Sequence, residues 1–390
     1  MRTIGTVARG IRAPLIKSGD NITEFVVDSV LAAAKQESFE LNDKDVIGIT
    51  ESVIARAQGN YASCDQIAAD IRRKFPSGTL AITFPILSRN RFSNILKGIV
   101  RGCSKLYIML SYPSDEVGNQ FISWDNLDKS GVNPYTDVLT EETYRQKFGY
   151  ETKHVFTGID YVEYYKSFSE NIEIIFANDV RSILNYTKNV LCCDIHTSPR
   201  SKRLLKEAGA KIIYGLDNIL SSSVDSSGYN EHYGLLGSNK ATDDTVKLFP
   251  RNCEPIVNEI ANEIKRVSGK QIEVLVYGDG AFKDPVGKIW ELADPVVSPA
   301  YTPGLSGTPN EPKLKLLLDE ELKSKSEDEK KEAVAAAIKS KDNNLKDKAL
   351  GTTPRRYVDL IGSLCDLVSG SGDKGTPIVL IQGYFDNYIS

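Results

Sequence analysis

The sequence predicts an α/β fold of mixed α+β character, and three stretches carry that prediction. From about residue 171 strands and short helices alternate: strand 172–176, helix 179–186, strand 189–195, helix 201–208, strand 211–214. Such alternation implies βαβ units and a parallel sheet. Residues 45–50 read as a strand that runs through a short polar turn into a helix beginning at Glu51 and stopping at Gly59. Residues 271–285, QIEVLVYGDGAFKDP, start as a buried strand carrying Ile272, Val274 and Val276 and break abruptly at Gly278-Asp279-Gly280. That break sets an acid at a strand end, where ligands of α/β sheets commonly bind.

Composition narrows the functional classes. A chain of 390 residues holds two or three domains' worth of core, and 41% hydrophobic with 26% charged residues are globular values. A net charge of −4 supplies no general attraction to nucleic acid or anionic membrane. There is no sustained apolar run at the N-terminus and none of about 18 residues elsewhere, so no membrane role and a cytoplasmic location are expected. Six cysteines without a CxxC, and three dispersed histidines, suggest neither a disulfide framework nor a zinc knuckle.

Taken in order, residues 11–22, IRAPLIKSGDNI, form an extended-then-turn entry that places Lys17 beside the turn Ser18-Gly19-Asp20, ahead of a helix over 23–36. In the strand–turn–helix of 45–59, Ser52 lies at the helix start and Arg56 one turn further on, an arrangement that suits an anion because the first helical amides lack internal acceptors. Arg89 and Arg91 flank Asn90 just before a helix over 93–100, a pair suited to a carboxylate or phosphate, or to a solvated basic loop. A strand over 105–110 leads into the loop 111–119, with Asp115 and Glu116 between proline and glycine. Asp160 belongs to an acid and tyrosine cluster over 158–165, and His196 follows a strand. The turn-rich NEHYGLLGSN (230–239) precedes a helix over 254–267. Four prolines within 296–312 predict a loop without regular structure, and 314–347 one or two charged helices with little apolar face. A helix over 355–368, the loop SGSGDKGTP (369–377) and a strand over 378–382 close the chain. That loop lacks the GK[ST] ending of a Walker motif, yet its small residues can form a backbone nest for an anion, or a plain linker.

The order PLIK (14–17), ESVIARAQG (51–59), GLLGSN (234–239), GDG after a strand and GSGDKGTP before a final strand resembles the coenzyme F420-0:γ-glutamyl ligase family. Its members are GTP- and metal-dependent enzymes that join glutamate to a deazaflavin coenzyme through an amide. The likeness covers roughly the first 60 residues, 233 to about 284, and 355 to the end. It implies that Pro14, Leu15, Ile16, Lys17, Ser52, Arg56 and Asn239 lie near the nucleotide, that Gly370, Gly372, Asp373 and Gly375 lie near its phosphates, and that Asp279 binds metal. Departures are Gly280 for a threonine, Leu236 and Ser371 for acids, and Arg56 for a lysine. Asp243, Asp244 or Asp373 can supply the absent acid, and Asp244 is the second metal candidate.

The chemistry so implied forms an amide through an acyl phosphate, with GTP or ATP and Mg²⁺ or Mn²⁺ as cofactors. Partners are a small-molecule carboxylate and a glutamate-like amino acid, for which Arg89, Arg91, Asp160 and His196 are substrate candidates; a homodimer is expected by resemblance. The matched motifs outside 101–230 imply a ligase-like domain built from both chain ends, 1–100 and 231–390, around an inserted α/β domain over 101–230. Leu236, Gly280 and Ser371 also support an alternative, a catalytically altered nucleotide- or metabolite-binding protein on the same scaffold. A third reading centres a different enzyme class on the inserted segment, with His196 or Asp160 in its site.

Overall fold

A computed structural model describes residues 3–88, 91–150, 153–154, 157–278, 297–342, 345, 356–370 and 372–387. Among them the strands form three sheets. The first is drawn from both chain ends: β1 (Val7–Ile11), β14 (Ile378–Gln382), β2 (Val46–Thr50), β12 (Glu273–Gly278) and β13 (Val297–Tyr301), hydrogen-bonded in that order. β2 and β12 are parallel, Val46 opposite Glu273 and Thr50 opposite Tyr277, while β14 runs antiparallel to both β1 and β2. The C-terminal ends of β1, β2 and β12 and the N-terminal end of β14 therefore share one edge, closed by the Thr50 amide donating to the Pro377 carbonyl at 3.0 Å.

Continuous apolar strands such as IVLIQ and VIGIT are what a sheet covered on both faces requires. Helices α1 (Ile22–Glu37) and α9 (Cys253–Ser268) bury Val26, Val30, Val257 and Ile260 against Ile47, Ile49, Val274 and Leu380. α12 (Tyr357–Val368) covers the other face, Val358, Ile361 and Cys365 meeting Val46, Leu275 and Val379. Gly48 lets α12 sit this close, since a Cβ there would collide with the Cys365 sulfur.

The second sheet has the order β6 (Leu139–Thr140), β7 (Ile172–Phe176), β5 (Lys105–Leu110), β4 (Thr79–Thr83), β8 (Asn189–Cys192), β9 (Ile212–Gly215), all parallel except β6. It is doubly wound. α3 (Cys64–Lys74), α4 (Phe92–Gly102) and α7 (Tyr161–Lys166) pack on one face, and α8 (Ser198–Glu207) with the 3-10 turn Val180–Asn185 packs on the other. α5 (Trp124–Ser130) and α6 (Glu141–Phe148) lie between β5 and β7 in the chain. Because β4 pairs with β5, this sheet takes in residues from Thr79 onward, ahead of the boundary expected at residue 101. The third sheet, β10 (Asn239–Lys240), β11 (Thr245–Lys247) and β3 (Tyr61–Ser63), is antiparallel; β3 follows closely on α2 (Glu51–Ala57), the helix after β2.

Several elements differ from expectation for local reasons. The strand expected over 189–195 stops at Cys192, and the helix expected over 179–186 is a 3-10 turn capped by Asp179. The proline-rich 296–312 contains β13, which accommodates Pro299 because it is an edge strand, followed by the 3-10 turn Pro303–Leu305. The charged stretch does own an apolar face: α10 (Leu314–Leu316), the π-turn Leu317–Glu321 and α11 (Glu327–Lys339) gather Leu322, Val334 and Ile338 into a small cluster. Among the described residues no helix is long and apolar enough to cross a membrane.

Candidate functional site

The common edge of the first sheet is where polar side chains converge. Thr50 leaves β2 in an extended conformation and its hydroxyl accepts the Ser52 amide at 3.4 Å, starting α2 directly at the strand end. Glu51, the first helical residue, therefore turns beneath the sheet edge and is only 3% exposed. Its carboxylate accepts both hydrogen bonds of the Lys247 ammonium, 2.7 Å to Oε1 and 2.9 Å to Oε2. Lys247 stands in β11 opposite Asn239 of β10. Gly278 ends β12 against this pair: a Cβ there would lie 2.5 Å from Glu51 Cγ and 3.2 Å from the Phe249 ring, so only glycine fits.

Above the pair opens a cleft of about 640 Å³ lined by Thr50, Glu51, Ser52, Arg56, Tyr61, Asn239, Lys240, Ala241, Lys247, Asp366, Ser369 and Gly370. Three sequence-distant segments thus meet there, and four of the residues expected near a nucleotide, Ser52, Arg56, Asn239 and Gly370, face one space. Among the described residues the lining carries Arg56, Lys240 and Lys247 with Glu51 and Asp366; Lys247 is paired with Glu51, and Lys240 with Asp243 of the β10–β11 turn at 2.5 Å.

The remaining residues of that set are tied to the cleft without lining it. Lys17 is exposed in a turn whose Gly19 amide donates to the Ala57 carbonyl at the end of α2, 2.8 Å. Leu15 is exposed and Ile16 buried, whereas Pro14 lines a groove of about 970 Å³ over β1 and α1 with Arg9, Arg12 and Asp28. Gly372, Asp373 and Gly375 occupy an exposed loop pinched shut by Gly370 and Thr376 exchanging backbone hydrogen bonds of 3.1 and 3.4 Å. The Ala13 amide donates to the Gly375 carbonyl at 3.3 Å and holds that loop beside residues 14–17.

Asp279, together with Gly280, Arg89 and Ser371, lies outside the described residues. Asp244 is placed away from the cleft, at the turn between β10 and β11: its carboxylate meets Arg101 of α4 at 2.6 Å, and that guanidinium holds it below the usual carboxylate range. Asp160 caps α7, accepting the Val162 and Glu163 amides, and forms a buried 2.7 Å ion pair with Arg145. His196 is exposed at the start of α8, its amide donating to Glu116. Arg91 precedes α4 beside a narrow crevice lined by Ile86, Phe92, Cys193 and Leu236. The structure thus puts Asp160, His196 and Arg91 on the six-stranded unit and does not bring them into the cleft. Leu236, standing where the motif would carry an acid, packs against the apolar core of that unit.

For Mg²⁺ or Mn²⁺ the donors must be oxygens, several of them carboxylate. Among the described residues no group of three or more His, Cys, Asp or Glu is placed to hold a metal, and the cleft's buried carboxylate, Glu51, is engaged by Lys247. The described residues by themselves do not fit the ion. Thiol chemistry is also disfavoured: all six cysteines are free, and burial pushes the Cys64 thiol up to about 11 and Cys253 up to about 12, so both are neutral near pH 7.

The sequence reading gave neither half of the Glu51–Lys247 pair a role, although Glu51 opens the ESVIARAQG motif. The signal available was Lys247 itself, a lone charge inside the apolar run 245–249, TVKLF.

Compared with known protein families, the chain is matched from residue 10 to residue 383 by the family described as F420-0:Gamma-glutamyl ligase. The matched span crosses the central residues and the charged helices as well as the motif-bearing ends. No curated protein matches the chain.

Proposed function

The chain belongs to the F420-0:γ-glutamyl ligase family, and from that membership we propose that it is an NTP- and divalent-metal-dependent ligase forming a glutamyl-type amide in the cleft at the ends of β2 and β12. The observation that carries this reading is the convergence of Ser52, Arg56, Asn239 and Gly370, from three distant segments, on one cleft.

A carboxylate does not react with an amine until one oxygen becomes a leaving group. In the proposed sequence an acceptor carboxylate oxygen attacks the γ-phosphorus of GTP or ATP, the β–γ bridging P–O bond breaks, and the nucleoside diphosphate departs with that electron pair. The amine nitrogen of the amino acid then adds to the acyl carbon and expels phosphate, losing its proton as the amide forms. Arg56 at the cleft wall binds and orients phosphoryl oxygens, the Ser52 hydroxyl can donate to them, and Lys240 joins on exchanging its Asp243 partner for phosphate. A divalent ion, when bound, offsets charge on the phosphates. Asp279 enters as its ligand from the sequence alone. A homodimer working in the cytoplasm belongs to the same reading.

The test is a coupled assay of nucleoside diphosphate release with glutamate and a panel of carboxylates, with and without Mg²⁺ or Mn²⁺. We expect release that requires carboxylate, amine and metal together, with one amide formed per diphosphate, and a loss of at least about tenfold in Arg56→Ala. Diphosphate release indifferent to both organic substrates would overturn ligation. Tight nucleotide binding with no turnover would instead favour the catalytically altered binding protein, the reading that Leu236 supports.

A further inference from the structure

We propose that Lys247 is a built-in cation of this cleft: its ammonium, held ready by Glu51, binds the polyphosphate of the nucleotide directly, so that the bound charge is not met by divalent ions alone. The inference rests on the reading of the cleft as the nucleotide site.

Position is the first support. Register places Lys247 directly across from Asn239, and both line the same space with Ser52 and Gly370. Energetics is the second. The Lys247 and Glu51 side chains are 10% and 4% exposed, so each has given up most of its hydration. Pairs of this kind repay desolvation poorly, and apolar replacements of similar volume are often as stable or more so. A lysine kept at a cleft wall, inside an otherwise apolar strand run, is better accounted for by what it binds than by what it stabilises. Stereochemistry is the third. An ammonium has three donors, and the single Glu51 carboxylate, whose two oxygens lie 2.7 and 2.9 Å from the nitrogen, engages at most two of them. The remaining donor can meet a phosphate oxygen without the side chain moving off its carboxylate, which keeps the flexible lysine stem pre-organised.

Glu51 then has a definite role. It neutralises and fixes the ammonium while the cleft is empty, and it limits how tightly a triphosphate is held.

The experiment is an equilibrium titration of GTP, ATP and inorganic tripolyphosphate, in EDTA and in Mg²⁺, for the full-length wild type and for Lys247→Met, Lys247→Arg and Glu51→Gln, with thermal melting of each. We expect the wild type to bind all three ligands in EDTA and Lys247→Met to lose about tenfold or more for each of them, because the lost contact is to phosphate. Lys247→Arg should recover part of that loss. Glu51→Gln keeps a hydrogen bond to the ammonium but removes its counter-charge, so it should bind more tightly than wild type in EDTA. A pair that only supports the fold would lower the melting temperature of Lys247→Met and leave affinity at the wild-type level, which overturns the proposal. If Lys247→Met does not fold, the sign of the change in Glu51→Gln decides, weaker or equal binding counting against it. Wild type that binds none of the three ligands under either condition removes the nucleotide-site reading, and this inference with it.

Discussion

Asp115 shows how this molecule handles buried charge one residue at a time. Its carboxylate accepts the Leu87 amide at 2.9 Å, the Val117 amide at 3.1 Å, and the Asn119 amide and side-chain nitrogen at 2.8 and 2.7 Å. Those donors favour the charged form, yet burial outweighs them and pushes the carboxyl up to about 6 from an ordinary 3.8. A folded-state value above the unfolded one means that the group's stabilising contribution is complete below about pH 4 and is lost as pH rises through 6. Asp115→Asn removes the titration. Denaturant midpoints between pH 4.5 and 7.5 should show wild type losing stability relative to Asp115→Asn as pH rises, and a relative gain would contradict the assignment. Next to it, Glu116 follows a different rule. Its carboxylate takes the amides of Ile195, His196 and Thr197 at the start of α8, so an internal anion fills the positive end of that helix.

Between elements, Asn60 does the most joining. It is fully buried where α2 gives way to β3. Its amide nitrogen donates to the Phe249 and Tyr229 carbonyls, 2.7 and 3.1 Å, and its oxygen accepts from the Tyr229 amide at 3.0 Å and Arg251 Nη1 at 2.8 Å. One side chain thus fastens the helix that carries Ser52 and Arg56 to the segment on either side of β10 and β11. Truncation leaves several buried polar groups without partners, so Asn60→Ala should cost about 2–4 kcal/mol of unfolding free energy. The check is urea unfolding: a lower midpoint at unchanged m-value is expected, and a shift worth under about 1 kcal/mol would show that the surrounding groups find other partners.

At the scale of the whole molecule, the first sheet depends on strands from opposite ends of the chain, Val7 pairing with Gln382 and Ile11 with Ile378. β14 lies between β1 and β2, so a chain ending at residue 369 would open the hydrogen-bonding edges of both and expose the faces that α1, α9 and α12 cover. Residues 61–250 hold the six- and three-stranded sheets around a shared apolar core that runs from Ala62 to Leu248. We expect the truncated chain to lose near-UV circular dichroism and solubility, and the 61–250 fragment to melt cooperatively alone. A truncated chain that melts like the full-length protein would show that β14 is dispensable. The proposed homodimer has its own check, since sedimentation at the mass of one chain would remove it.

How much of this was legible in the sequence follows from the range of the forces involved. Strand Lys105–Leu110, strand Ile172–Phe176 and strand Ile378–Gln382 could be read to the residue, because apolar runs bounded by turn residues are local signals. α1, α2 and α9 were legible within a residue or two of their caps. The motif order also indicated family membership and, through it, a set of residues of which four share a cleft. Pairings that depend on distant partners were not legible. β13 was hidden by Pro299, which only its edge position permits, and the hairpin of β10 and β11 is too short to carry a periodic pattern of its own. The Glu51–Lys247 pair was decided entirely by tertiary structure, because an ion pair spanning 196 positions is fixed by which sheet edges meet and leaves no spacing in the sequence. The sequence by itself determined the local elements and the family; only the folded chain decided which charges face each other across the cleft, since burial and distance, which set their energies, do not exist until distant strands have paired.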